Sequence, residues 1–407
     1  MMNSKKNNQS NCAADSSQKR KKAKTRIVSI LLVLAMTAAL MLGGCGAGSS
    51  KTGDSALSED TAAGSQTITV TDHNGNEVTL PKNIERIAVC NILPLPSVLS
   101  VFFDSAEKIV AMAPSSMSAA KNGLLSELYP EILNADTTAI SGNDVNTEEL
   151  MKLDPQVVFY SAASETLGEK LRKAGFNAVA VSANKWEYNA IETLNQWIDL
   201  LAQIFPESAN DRAKLVRNYS SESMDLVEER TAKLTDEEKA RVFFLFQYSD
   251  ESIVTSGNSF FGQWWADSIG AVNVANELTE DNSVKATMEQ IYSWNPEIIL
   301  MTNFNEYKPE DLYNNTVGSY DWSKISAVEN KKVYKMPLGM YRSYTPGVDT
   351  PITLLWLAKT VYPQLFEDVD ITEKTVEYYK EVFGIELTSE QAASIFSPVT
   401  DAGYTDF

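Results

Sequence analysis

The side chains on which most hydrolases and metal sites depend are scarce in this 407-residue chain, which has one histidine, His73, and three cysteines, Cys12, Cys45 and Cys90. Capture of a bare zinc or manganese ion would need several imidazoles. A Ser-His-acid triad would have to recruit His73 from an early Asn-Gly turn. No Gly-x-Ser-x-Gly elbow is present, since Gly257-Asn258-Ser259-Phe260-Phe261-Gly262 is one residue too long, and neither a His-Glu-x-x-His nor a Gly-x-x-x-x-Gly-Lys motif occurs. Paired-carboxylate glycoside hydrolysis stays open, because the acidic residues are numerous enough to form many pairs. What the chain does offer is aromatic side chains gathered near one arginine: Phe260 to Trp265, Asn303-Phe304-Asn305, and Gly339-Met340-Tyr341-Arg342-Ser343-Tyr344. Rings supply contact area and a guanidinium supplies a rigid fork of donors, a combination suited to a bulky, planar, partly anionic guest such as a metal chelate.

The elements that must hold these residues alternate between strands and helices. Ile68 to Thr71 and Glu77 to Leu80 flank His73-Asn74-Gly75-Asn76 and predict a hairpin with His73 in its turn. Short apolar runs at Ile87 to Cys90, Ile109 to Met112, Val157 to Tyr160 and Ala178 to Val181 predict a mostly parallel sheet covered on both faces. The pattern lapses into charged helical sequence from Ile191 to Ala240. It resumes at Val242 to Phe246, Ile253 to Thr255, Ile298 to Met301 and Lys332 to Tyr334, and ends in helical stretches after Pro351 and Thr372. The reading is α/β, with two lobes joined by a helix: an N-terminal lobe over 67–207, an interlobe helix over 208–235, and a C-terminal lobe with terminal helices over 236–407.

An internal repeat supports this division. Glu148-Glu149-Leu150-Met151-Lys152-Leu153-Asp154-Pro155-Gln156-Val157-Val158-Phe159 matches Glu289-Gln290-Ile291-Tyr292-Ser293-Trp294-Asn295-Pro296-Glu297-Ile298-Ile299-Leu300 at a constant offset of 141. In both, a short helix with an acidic start stops before an Asx-Pro turn and a buried strand follows. Ligands of parallel α/β sheets sit beyond the carboxyl ends of the strands. The candidate contacts are therefore Ser115, Met117, Tyr160 and Trp186 on the first lobe. Tyr248, Phe260, Trp264, Trp265, Asn303, Tyr341, Arg342 and Tyr344 face them from the second. Buried Cys90, in the apolar run Ile87 to Cys90, reads as a small hydrophobe without a chemical role.

The start of the chain sets the expected compartment. Eight basic residues before Ile27, an apolar run of 16 residues from Ile27 to Leu42, and Leu42-Gly43-Gly44-Cys45 form a signal peptide over 1–44 ending in what resembles a bacterial lipobox, with Cys45 the acceptor of a diacylglycerol. The run is short for a membrane span. Cleavage would remove eight basic residues and one acidic residue, taking the formal charge from −19 to −26. So acidic a chain does not suit nucleic acid. The Gly, Ser, Ala, Thr and acid-rich stretch after Cys45, up to Gln66, describes a flexible tether (45–66 with the lipidated cysteine) reaching about 25 Å.

Beyond the tether, the opening hairpin followed by Ile84-Glu85-Arg86-Ile87-Ala88-Val89 resembles the start of class III substrate-binding proteins of ABC importers. So do Leu153 to Val158, Asn258 to Gly262 through Gly270 to Asn273, Asp321-Trp322 through Ala327 to Tyr334, and Leu354 to Lys359 with Tyr362-Pro363. The resemblance runs from about Thr67 to Phe383 and implies a non-enzymatic, monomeric receptor with no cofactor or resident metal. Two three-layer α/β/α lobes on one long helix would hold an iron-siderophore in the cleft, with a corrinoid or haem as alternative cargo. Adhesion by the same fold is a further alternative. The resemblance also implies that Arg342 contacts ligand and that Glu148 and Glu289 dock on the membrane permease. The histidine that accompanies an iron-binding tyrosine in some relatives is absent, which counts against capture of naked iron.

Overall fold

The computed structural model describes residues 66–209 and 211–398. The expected leader, the expected lipid attachment at Cys45 and the expected tether up to residue 65 lie outside the described residues. Among those described, no helix is long and apolar enough to cross a membrane.

Strands β1 (Thr67–Thr71) and β2 (Glu77–Pro81) form the predicted hairpin, paired from Thr67↔Pro81 to Thr71↔Glu77. Gly75 takes φ +83° at its tip, a conformation that costs glycine little. β3 (Ile87–Val89) and β4 (Ile109–Met112) come next, then a two-residue ribbon of β5 (Ile140–Ser141) and β6 (Asp144–Val145), then β7 (Val157–Ser161) and β8 (Ala178–Val181). Strands β4-β3-β7-β8 make one wholly parallel sheet in that order.

The second sheet is built on β9 (Arg241–Tyr248). On one side β13 (Ile298–Met301) and then β14 (Val333–Lys335) run parallel to it. On the other, β10 (Ile253–Ser256) is antiparallel to β9 and β12 (Ser283–Ala286) is antiparallel to β10, and β11 (Val272–Asn273) adds a short parallel pairing at the start of β9. A mostly parallel sheet was expected here too. The antiparallel wing follows from the link between β9 and β10, residues 249–252, which is far too short for the crossover that parallel pairing needs.

Between the sheets in sequence runs the helix Arg212–Thr231. Arg212 at its start donates to the Phe102 carbonyl, 2.5 Å, at the end of the helix Leu95–Phe103 that follows β3. Arg230 in its last turn makes a bidentate pair with Asp368, at 2.6 and 2.8 Å, and donates to the Leu365 carbonyl. One 20-residue helix, about 30 Å long, is thereby bolted to elements of both halves.

Strand alternation divides the apolar side chains among three cores. Val89 and Phe159 share the largest core with Phe244 and Leu300 of the other sheet, so this core lies between the sheets. Ala88, Val158 and Tyr160 point to the opposite face of the first sheet, and Phe243, Leu245 and Ile299 to the opposite face of the second.

The repeat is reproduced in three dimensions. The helices Thr147–Lys152 and Met288–Trp294 are followed by Asp154 at φ 45° and Asn295 at φ 41°, and then by β7 and β13. Arg86, just before β3, donates through Nε to the Leu153 carbonyl at 2.7 Å, and Arg241 at the start of β9 donates to the Trp294 carbonyl at 2.6 Å. In each half an arginine on the neighbouring strand satisfies a carbonyl that the helix end would otherwise leave open.

Candidate functional site

A cavity of about 220 Å³ lies where the two halves meet. One half contributes the loop Asn91–Pro94 after β3, Ser161 at the end of β7 and Ala183 after β8. The other contributes Phe246, Phe261, Phe304 and Tyr341. These positions are at or beyond the carboxyl ends of their strands, where the topology predicted a ligand. Trp197 joins them from the helix Ala190–Ile204, its indole N–H donating to the Ser182 carbonyl at 2.7 Å.

A β-bulge at Phe246 sets which aromatics of β9 face the cavity. The β9–β10 register pairs Tyr248 with Ile253 and Gln247 with Val254, then jumps to Leu245 with Thr255, leaving Phe246 as the extra residue. A bulge shifts strand parity by one. Phe244 and Phe246 face the interlobe core by ordinary alternation, and beyond the bulge Tyr248 turns to the far face, where its hydroxyl accepts from the Trp322 indole at 2.9 Å.

Arg342 is fully buried beside the cavity wall. Its Nε donates to the Asn303 carbonyl at 2.8 Å, and its Nη1 to the Tyr341 hydroxyl at 3.0 Å and to the carbonyl and hydroxyl oxygens of Ser115 at 3.1 and 3.4 Å. The guanidinium also lies over the rings of Phe304 and Tyr341, with its carbon 5.0 and 5.2 Å from their centroids. Hydrogen bonds to a charged group are worth about 1.5–3 kcal/mol each, and the Ser115 bonds span the two halves. Burial pushes the Tyr341 hydroxyl up, opposed by the adjacent guanidinium. Next to this cluster, Asn303 Oδ1 and Ser343 Oγ are buried with no hydrogen-bond partner.

The loop carrying Arg342 rests on Asp349. This buried carboxylate accepts from the Met340 N–H at 2.9 Å and the Tyr379 hydroxyl at 2.5 Å, and burial raises its pKa to about 6 despite those donors. Gly339 is obligatory in this packing, because a Cβ there would stand 2.6 Å from Asp349 Oδ2. The Gly339 carbonyl accepts from the Leu124 N–H of the other half at 2.9 Å. The lobes are therefore in direct contact across the site.

Four candidate residues, Ser115, Asn303, Tyr341 and Arg342, meet in one hydrogen-bonded cluster. Met117 is buried in the same interlobe core. Tyr344 and Phe260 belong to the surrounding aromatic group, with ring centroids 5.2 Å apart for Phe246–Tyr344 and for Phe246–Phe260. Trp265 is core, its indole N–H donating to the Tyr344 carbonyl at 2.8 Å. Trp264 instead lines a neighbouring recess of about 480 Å³ shared with Glu187, Tyr188 and Asp281.

Three candidates lie away from the cavity. Tyr248 faces outward for the reason given. Tyr160 alternates with Phe159 onto the outer face, where its hydroxyl accepts from Arg172 at 3.0 Å. Trp186 packs edge-on against His73, 5.0 Å between centroids. From its loop it is Tyr188 that crosses to the other half, its hydroxyl 2.9 Å from Asp281 Oδ1 and from Asn282 Oδ1. Consecutive positive φ values at Glu187 and Tyr188, 53° and 58°, make the turn that separates these two aromatics. Phe246, Tyr188 and Trp197 were not singled out from sequence, although the first and last sit in apolar runs that announce only burial. Glu148 and Glu289 are exposed at the second position of their repeat-related helices. Among the described residues, no group of three or more His, Cys, Asp or Glu side chains is arranged to hold a metal ion.

Two α/β halves meeting over an aromatic chamber at the carboxyl ends of their strands have the architecture of a solute receptor. The chain matches the periplasmic binding protein family over residues 105–338, more than half its length, and belongs to that family. It is accordingly an extracytoplasmic, non-enzymatic solute-binding component of an ABC importer, of class III. It is 26% identical over 345 residues to the molybdate-binding protein MolA of Haemophilus influenzae, covering 80% of this chain and 93% of MolA. The crystal structure of a periplasmic solute binding protein from Veillonella parvula superposes with a TM-score of 0.70 at 28% identity, covering 81% of this chain and 97% of that one. Helicobacter pylori CeuE, solved in a Ni-His complex, shares the fold at a TM-score of 0.64 and 21% identity, covering 81% and 99%.

Proposed function

We propose that this protein is a lipid-anchored, monomeric receptor that closes over a ferric siderophore and passes it to an importer permease, docking through Glu148 and Glu289. The observation that carries this reading is the aromatic wall of Phe246, Phe261, Phe304 and Tyr341, with the buried Arg342 guanidinium stacked behind Phe304 and Tyr341. Aromatic faces accommodate the flat organic arms of a chelate, and a guanidinium offsets its negative charge. A cavity of about 220 Å³ is smaller than the 300–1,000 Å³ of typical organic-ligand sites, so a siderophore requires the lobes to part.

That volume favours a second reading, a compact metal oxyanion, which is also the ligand class named for MolA. Titration of tryptophan fluorescence separates the two, since Trp197 lines the cavity and Trp264 and Trp265 adjoin it. Saturable quenching by ferric siderophores but not by molybdate is the expected result. Saturation by molybdate alone would transfer the assignment to an oxyanion, and saturation by cobalamin or haem alone to those cofactors. Arg342→Ala should weaken an anionic cargo about tenfold, or about 1.4 kcal/mol.

A further inference from the structure

The two repeat-related helices expose more than a carboxylate. Among the described residues three large hydrophobic side chains are exposed, Leu133, Met151 and Tyr292. Two of these, Met151 and Tyr292, are equivalent positions of the repeat, 141 residues apart. Each follows its glutamate, Glu148 or Glu289, by three residues and so shares its helical face. Met151 is 50% and Tyr292 40% exposed.

This surface is braced. The carbonyls of Leu153 and Trp294 are held by Arg86 and Arg241, the helix starts by the side chains of Asn146 and Thr287. The Tyr292 hydroxyl donates to the Asp321 carbonyl at 2.7 Å, which keeps its ring against the surface. Glu149 is taken up by Lys152 at 2.7 Å, whereas neither Glu148 nor Glu289 forms an ion pair among the described residues. Each half thus presents the same pair of groups, an uncommitted carboxylate beside a fixed apolar side chain.

We propose that Met151 and Tyr292 are the apolar anchors of a two-point docking surface whose partner carries two equivalent sockets, each an apolar depression beside a basic side chain. Repetition of the pair on both halves fits a partner with twofold symmetry, and the uncommitted carboxylates require it to be basic at both points. The transmembrane dimer of the importer is such a partner. This inference rests on the reading of Glu148 and Glu289 as permease contacts, and adds to it that apolar burial, rather than charge alone, sets the affinity. Well-packed anchors of this kind dominate interface energetics, while exposed charges chiefly steer the encounter.

The test titrates the full chain onto the importer's transmembrane dimer in lipid nanodiscs. Met151→Ser and Tyr292→Ser should each weaken binding about tenfold and the double variant about a hundredfold. Leu133→Ser, an exposed hydrophobe outside the repeat, should bind like the wild type. Solute affinity should be unchanged in all four, and each should remain folded at the temperature of the assay. If the two anchor variants bind as the wild type while Glu148→Lys with Glu289→Lys abolishes binding, the anchors are refuted and the docking reading stands. If the charge reversal is also silent, both fall. The proposed lipid anchor is common to all variants, so a comparable loss of binding by the double variant on protein-free anionic vesicles would assign Met151 and Tyr292 to lipid and overturn the proposal.

Discussion

His73 is the sole histidine, and its environment makes a quantitative prediction about pH. Its Nδ1 accepts the Ser182 N–H at 3.0 Å, its own backbone N–H donates to the Ala180 carbonyl at 3.1 Å, and Lys185 reaches its carbonyl at 2.8 Å. The imidazole thereby ties the opening hairpin to the edge strand β8, and it can do so only while Nδ1 is unprotonated. Burial is the larger cause and the Lys185 charge the next in lowering its pKa from 6.5 to about 4. Because the folded pKa is the lower one, the stabilisation is complete above pH 6.5 and is lost as pH falls toward 4. Lowering the pKa from 6.5 to about 4 corresponds to roughly 3 kcal/mol. His73→Gln removes this titration. Denaturant unfolding of wild type and variant at intervals from pH 7 to pH 4 should show the stability difference between them shrinking by roughly 3 kcal/mol toward the acid end. Taking the difference cancels the titration of every carboxylate common to both proteins. A difference that stays flat within about 0.5 kcal/mol would refute a neutral, buried imidazole at this joint.

Asp349 should behave in the opposite sense. Its folded pKa, about 6, lies above the ordinary 3.8, so its contribution is full below pH 4 and is lost as pH rises through 6. Asp349→Asn should therefore gain on the wild type by roughly 2.4 kcal/mol between pH 4 and pH 7 in the same assay. Gly339→Ala forces a methyl to 2.6 Å from Asp349 Oδ2, and calorimetry should record a loss of about 2 kcal/mol. Gly347→Ala, where no atom lies within 4 Å of the new methyl, should stay within about 0.5 kcal/mol.

Local patterns in the chain were enough to identify its main strands, though not the short β5, β6, β11 and β12. The runs Ile109 to Met112 and Ala178 to Val181 became β4 and β8 with the same ends, because a strand buried on both faces must be continuously apolar. The left-handed conformation of Asp154 and Asn295 came only from the structure, but the offset of 141 disclosed the duplicated helix-turn-strand unit with its Asx-Pro turns, since the same turn chemistry recurs wherever the same backbone is required. The one arginine among aromatics was visible for the same reason: composition within a loop is local information.

Orientation was not local. Phe159 and Tyr160 are neighbours of similar character, and only the packing of one sheet face against the other half sends the first inward and the second out. A single unpaired residue, Phe246, reverses the parity of Tyr248, and a pair of positive φ angles exchanges Trp186 for Tyr188 at the cleft. Arg342 meets Ser115 across 227 residues of sequence. The sequence by itself determined the main strands, the duplication and the loops at the carboxyl ends. Which side chain in each loop enters the cavity depended on strand register and lobe closure, because those are set by contacts between segments too far apart to influence one another's pattern.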